Sequence, residues 1–168
     1  MRNYAEASLV LSFLEMVRKS KKFGIRTLVN TTPTDTGDYA DIEYISNGGE
    51  HLVIEAKSNE TPDAPNTVYK IFGQLLAELG KSNSHRILGT PVLAVLIPDD
   101  VPVAKGAPKE IGSVYYRRRF RMIPREKYID YGKLVGVQYV FCCARGNYVN
   151  VYLWEDFWDG KEPVERIQ

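Results

Sequence analysis

Apolar residues along the chain follow two different periods. Over residues 4–21, Leu9, Val10, Phe13, Leu14 and Val17 recur at helical spacing and predict an amphipathic helix that stops near Gly24. Ile25 to Asn30 reads as a short strand, followed by a polar loop over 31–38 with Pro33 and Gly37. From Ala40 the period falls to two. Ala40, Ile42 and Tyr44 share one face of a strand and Asp41 and Glu43 the other. After Asn47-Gly48-Gly49, a turn that tolerates positive φ, Leu52, Ile54 and Ala56 share a face opposite Glu55 and Lys57. Helical spacing returns over 67–79, with Val68, Ile71, Phe72, Leu75, Leu76 and Leu79 on the buried side and Gly80 as the stop.

The run PVLAVLI at 91–97 suits a central strand covered on both faces. Residues 98–113 read as a Pro/Gly-rich connection, 124–134 as a third helix, and 137–143 and 148–154 as two strands joined at Arg145-Gly146-Asn147. Hairpins and a crossover together predict an α/β fold with a mixed central β-sheet flanked by helices. No repeat or composition break divides the chain, so 1–168 is read as a single domain.

The hairpin carries the candidate chemistry. Setting apolar face against apolar face pairs Ile42 with Ile54 and Ala40 with Ala56. That register puts Asp41 directly across from Glu55, with Lys57 one pleat further on. Cross-strand Cβ atoms lie about 5 Å apart, where like charges repel. A divalent cation is the natural counter-charge, because hard cations collect carboxylate oxygens.

Asp41 followed by Glu55-x-Lys57 at the end of the next strand resembles the active-site motif of the PD-(D/E)xK nucleases. These include many restriction endonucleases, Holliday-junction resolvases and RecB-like nucleases. The resemblance covers roughly residues 1–145, and Ala40 stands where the motif's name has proline. It implies a restriction-endonuclease-like core in αβββαβ order and a metal-dependent endonuclease acting on phosphodiester bonds in DNA. Asp41, Glu55 and the Ala56 carbonyl would then hold Mg²⁺ or Mn²⁺. Lys57 would orient the attacking water or stabilise developing charge. Asp38 takes the place of Asp41 if the strand begins earlier. Glu6 lies on the inward stripe of the first helix, where such nucleases often carry a metal-site glutamate. The helix dipole is an equal account of it. Gln74 matches the glutamine that RecB-like and resolvase-like members carry on the helix after the motif, although helix propensity also explains it. Glu43 is a further ligand or, more simply, a surface charge. Members of this size often act as homodimers, so a homodimer is a further expectation.

Bulk composition narrows the partners. Net charge is +1, so any nucleic-acid surface is local. The main candidate is Tyr115 to Arg121, in which Arg117, Arg118, Arg119 and Arg121 offer phosphate contacts and the aromatics offer stacking on bases. The alternative is a solvated edge strand, where positive charge deters edge pairing. The basic run Arg18 to Lys22 is credited to the end of the first helix. Cys142 and Cys143 are adjacent, point to opposite faces of a strand, and suit a reducing cytoplasm. They lack zinc-site spacing. His51 and His85 are isolated. The amphipathic, Glu-containing start is unlike a signal peptide, and no run is long enough to span a bilayer. The opposing expectation is a catalytically silent nuclease-fold subunit that binds DNA or assembles with other proteins.

Overall fold

A computed structural model describes residues 4–30, 41–58, 64–79 and 90–168. Expectations for Asp38, Ala40, Gly80, His85 and the polar loop over 31–38 lie outside these residues. Helix α1 (Tyr4–Val17) leads into strands β1 (Ile25–Asn30), β2 (Ile42–Ser46) and β3 (His51–Ala56). Helix α2 (Ala64–Glu78) and strand β4 (Val92–Pro98) follow, then helices α3 (Gly112–Phe120) and α4 (Arg125–Val135). The chain closes with strands β5 (Val137–Ala144) and β6 (Tyr148–Leu153), helix α5 (Trp154–Asp159) and strand β7 (Glu165–Ile167).

The strands form one mixed seven-stranded sheet in sequence order, β1 to β7. Among the described residues only β3–β4 and β4–β5 are parallel. Both crossovers step the same way across the sheet, so a common right-handed sense puts their helices on one face. Val68, Ile71 and Leu75 of α2 and Tyr116 and Phe120 of α3 do bury against Val53, Val95 and Val140 there. Helix α1 covers the other face through Leu9, Val10, Phe13 and Val17, against Ile54, Leu96 and Phe141. Strand β4 is buried on both sides, which explains its unbroken apolar run. Cys142 and Cys143 fall in opposite cores, as alternation requires.

Several boundaries differ from the sequence reading. Pro65 lies in the first turn of α2, where its missing N–H costs little. Leu76 and Leu79 are exposed; the buried stripe runs through Val68, Ile71 and Leu75 to Glu78. Tyr115 to Phe120 belong to helix α3, not to an edge strand, and Tyr115 and Tyr116 are core residues. That placement removes both tyrosines from any role in stacking on bases. Trp154 starts a helix in place of ending a strand.

Candidate functional site

The β2–β3 hairpin forms because its turn can be made. Gly49 adopts φ 88° and donates its N–H to the Ser46 carbonyl at 2.9 Å. The ladder pairs Ile42 with Ile54, Glu43 with Val53, Tyr44 with Leu52 and Ile45 with His51. Extended by one residue, it sets Asp41 against Glu55. The Asp41 carboxylate accepts the Ala56 N–H at 2.9 Å, which fixes it at the strand end. Lys57, half-buried, follows directly, with its own N–H donated to the Leu96 carbonyl at 2.9 Å.

The carboxyls are deeply placed. Asp41 is 7% exposed, Glu55 6% and Glu78 2%. Burial raises the Glu55 carboxyl most. Hydrogen bonding to Glu78, the charges of Asp41 and Glu78, and a hydrogen bond with Asp41 add to this and push it up to about 10. Glu55 therefore keeps its proton at neutral pH and donates it within the cluster. Helix α2 contributes Glu78 to this cluster, while Gln74, one turn earlier, is exposed. The 3-4-3 spacing of residues 68, 71, 75 and 78 was the sequence signal for Glu78.

Glu43 is fully buried, not a surface charge, and its Oε2 lies 2.9 Å from the Nε2 of His51. His51 is thus not isolated: the hairpin register makes the two diagonal neighbours on the face of Asp41 and Glu55. Glu6 is half-buried near the carboxyl ends of the parallel strands. The Arg145 guanidinium, which bonds Asp100 at 2.8 Å, also donates to the neighbouring Ala5 carbonyl at 3.2 Å. The charge of Glu6 is felt by Tyr116, whose hydroxyl is raised chiefly by burial, then by Tyr115 and Glu6.

The arginines of α3 divide into two pairs. Arg117 donates to the Phe157 carbonyl and Arg121 to the Trp158 carbonyl, each at 2.7 Å, and both stack on rings of α5. These two hold the carbonyl end of α5. Arg118 is exposed and paired with Glu110 at 2.6 Å, while Arg119 is half-buried with its guanidinium over the Tyr115 ring.

Among the described residues, no three His, Cys, Asp or Glu side chains converge in a metal-holding arrangement. The oxygen-only pair of Asp41 and Glu55 still suits Mg²⁺, which is commonly held by one or two carboxylates and several waters. Comparison with protein-family models, characterised proteins and solved structures finds no match for this chain. Among the described residues, no helix is long and apolar enough to cross a membrane.

Proposed function

We propose that this chain is a metal-dependent endonuclease hydrolysing phosphodiester bonds in DNA, built on a restriction-endonuclease-like core. The observation that carries the reading is the buried Asp41–Glu55 pair across the hairpin, with Lys57 next along the same strand end. The element order αβββαβ over α1 to β4 is consistent with it. Asp41, Glu55 and the Ala56 carbonyl would hold Mg²⁺ or Mn²⁺, replacing the shared proton as the counter-charge. Such a cation, when bound, lowers the pKa of water toward neutrality and polarises a phosphoryl oxygen.

The chain's own residues then have separate tasks. The Ala56 N–H orients the Asp41 carboxylate. Lys57 holds the attacking water or stabilises the charge that develops on the phosphoryl oxygens. Glu78 supports Glu55 from α2. Exposed Arg118 and half-buried Arg119 are the α3 residues left to meet phosphates.

A second reading draws on the same burial. A buried, protonated Glu55 hydrogen-bonded to Glu78 and Asp41 forms a closed structural cluster, as expected of a silent nuclease-fold subunit. Incubation with plasmid, linear, single-stranded and four-way-junction DNA in Mg²⁺ or Mn²⁺ separates the two. Cutting that is lost in EDTA and in Lys57→Ala supports the nuclease. A folded protein that cuts none of them refutes it.

A further inference from the structure

The five cations at the corner between α1 and β1 are free of ion pairs among the described residues. Arg18, Lys19, Lys21, Lys22 and Arg26 are all exposed. Backbone bonds hold the corner rigidly against the β2–β3 turn. Gly48 N–H donates to the Lys22 carbonyl at 2.9 Å, Asn47 N–H to the Gly24 carbonyl at 2.8 Å, and Gly24 N–H to the Ser20 carbonyl at 3.1 Å. The Ser20 hydroxyl in turn bonds Glu165 of β7 at 2.6 Å.

The dipole of α1 accounts for only part of this charge. The helix ends at Val17, and a macrodipole acts within about one turn. Arg18 and Lys19 fall inside that reach; Lys21, Lys22 and Arg26 fall beyond it. Arg26 lies where β1 carries one extra residue against β2, between Ile25 and Thr27. An extra residue of this kind re-aims a side chain. Exposed cations without ion pairs on a fixed backbone corner, with Lys22 lying over the Phe23 and Tyr139 rings, are the footprint of a polyanion partner.

The direction of β1 ties this corner to the candidate site. Ile25 stands opposite Ser46 and Asn30 opposite Glu43, so the strand runs from the basic corner toward Asp41. Ser46 and Asp41 are five residues apart, about 17 Å at ~3.4 Å per residue. One strand of a duplex carries a phosphate every ~3.4 Å of axis, so that span matches about five phosphates.

We infer that the α1–β1 corner, through Lys21, Lys22 and Arg26, docks the backbone of a DNA duplex about half a helical turn from the phosphate presented to Asp41 and Glu55. This rests on the nuclease reading and moves the principal DNA surface from α3 to the opposite end of β1.

The test is anisotropy of a labelled duplex in EDTA across a salt series. Wild type is compared with Lys21→Gln/Lys22→Gln/Arg26→Gln and with Arg118→Gln/Arg119→Gln. The triple variant is expected to flatten the slope of log affinity against log salt by about 2.7, at ~0.9 for each phosphate no longer neutralised. All three side chains are exposed, so its melting temperature should match wild type. An unchanged slope and affinity in the triple variant overturns the inference. So does wild-type binding to anionic lipid vesicles but not to DNA. Plasmid cleavage in Mg²⁺ is scored separately. Cutting with unaltered binding in the triple variant defeats the docking surface alone, whereas altered binding without cutting by wild type defeats the nuclease alone.

Discussion

Replacing Glu55 with glutamine should make the metal-free protein more stable at alkaline pH, contrary to the usual cost of altering a buried residue. In the folded chain, burial and the Glu78 and Asp41 carboxyls hold the Glu55 proton up to about pH 10, whereas an unfolded glutamate releases it near 4.5. Between those values the native state binds the extra proton, so wild-type stability falls as pH rises. One such proton is worth ~1.4 kcal/mol per pH unit. From pH 6 to pH 8 the loss is about 3 kcal/mol, or a fall of roughly 1.4 M in the urea midpoint at a slope near 2 kcal/mol per M. Glutamine keeps a hydrogen-bonding group of the same shape and does not titrate, so Glu55→Gln should lose much less. The assay is urea unfolding in EDTA at pH 6, 7 and 8, read by the fluorescence of Trp154 and Trp158. Midpoints of wild type and variant that run parallel with pH would refute the reasoning. Adding Mg²⁺ at pH 8 should restore wild type by about 2.7 kcal/mol at a hundredfold excess over Kd, and leave the variant unmoved.

Other consequences are open to direct measurement. Lys57→Ala should fold normally, because the side chain is half-buried, and should lower cleavage on the order of a hundredfold or more in a plasmid-nicking assay. A Cβ at Gly112 would lie 1.7 Å from the Pro98 carbonyl oxygen, so Gly112→Ala should cost on the order of 3 kcal/mol in chemical denaturation. Arg117→Ala should lose about 2 kcal/mol of stability, through the Phe157 carbonyl bond and the ring stacking, without changing affinity for DNA in the anisotropy assay.

The hairpin was legible because a period of two leaves few registers that bury Ile42, Tyr44, Leu52 and Ile54 together. Once that register is set, Asp41 and Glu55 must meet. The same alternation placed Cys142 and Cys143 in separate cores. Helix α3 was hidden by its own arginines. Four cations in seven residues suggest solvent, yet Arg117 and Arg121 direct their charge to the carbonyls of α5, far along the chain. Glu78 sat on a readable stripe, but Leu76 and Leu79 beside it drew the buried face the wrong way. Their exposure depends on what α2 meets, which local spacing does not encode. Glu43 and His51 show the same limit. Each looks like a surface residue alone, and only the hairpin makes them a buried pair.

The sequential order of the seven strands bears on how the molecule assembles. Among the described residues every hydrogen-bonded strand pair joins neighbours in the chain, and only two pairings close long loops: Ala56 to Val92 and Pro98 to Val137. Closing a short loop precedes closing a long one, because loop entropy must be met before a contact rewards it. The β2–β3 hairpin should therefore be structured in the folding transition state ahead of β4, which φ-values at Ile54 and Ala94 would test. Asp41 and Glu55 would then be brought face to face early, while still in water, and their mutual repulsion would become costly only when α2 and the central strand arrive to enclose them.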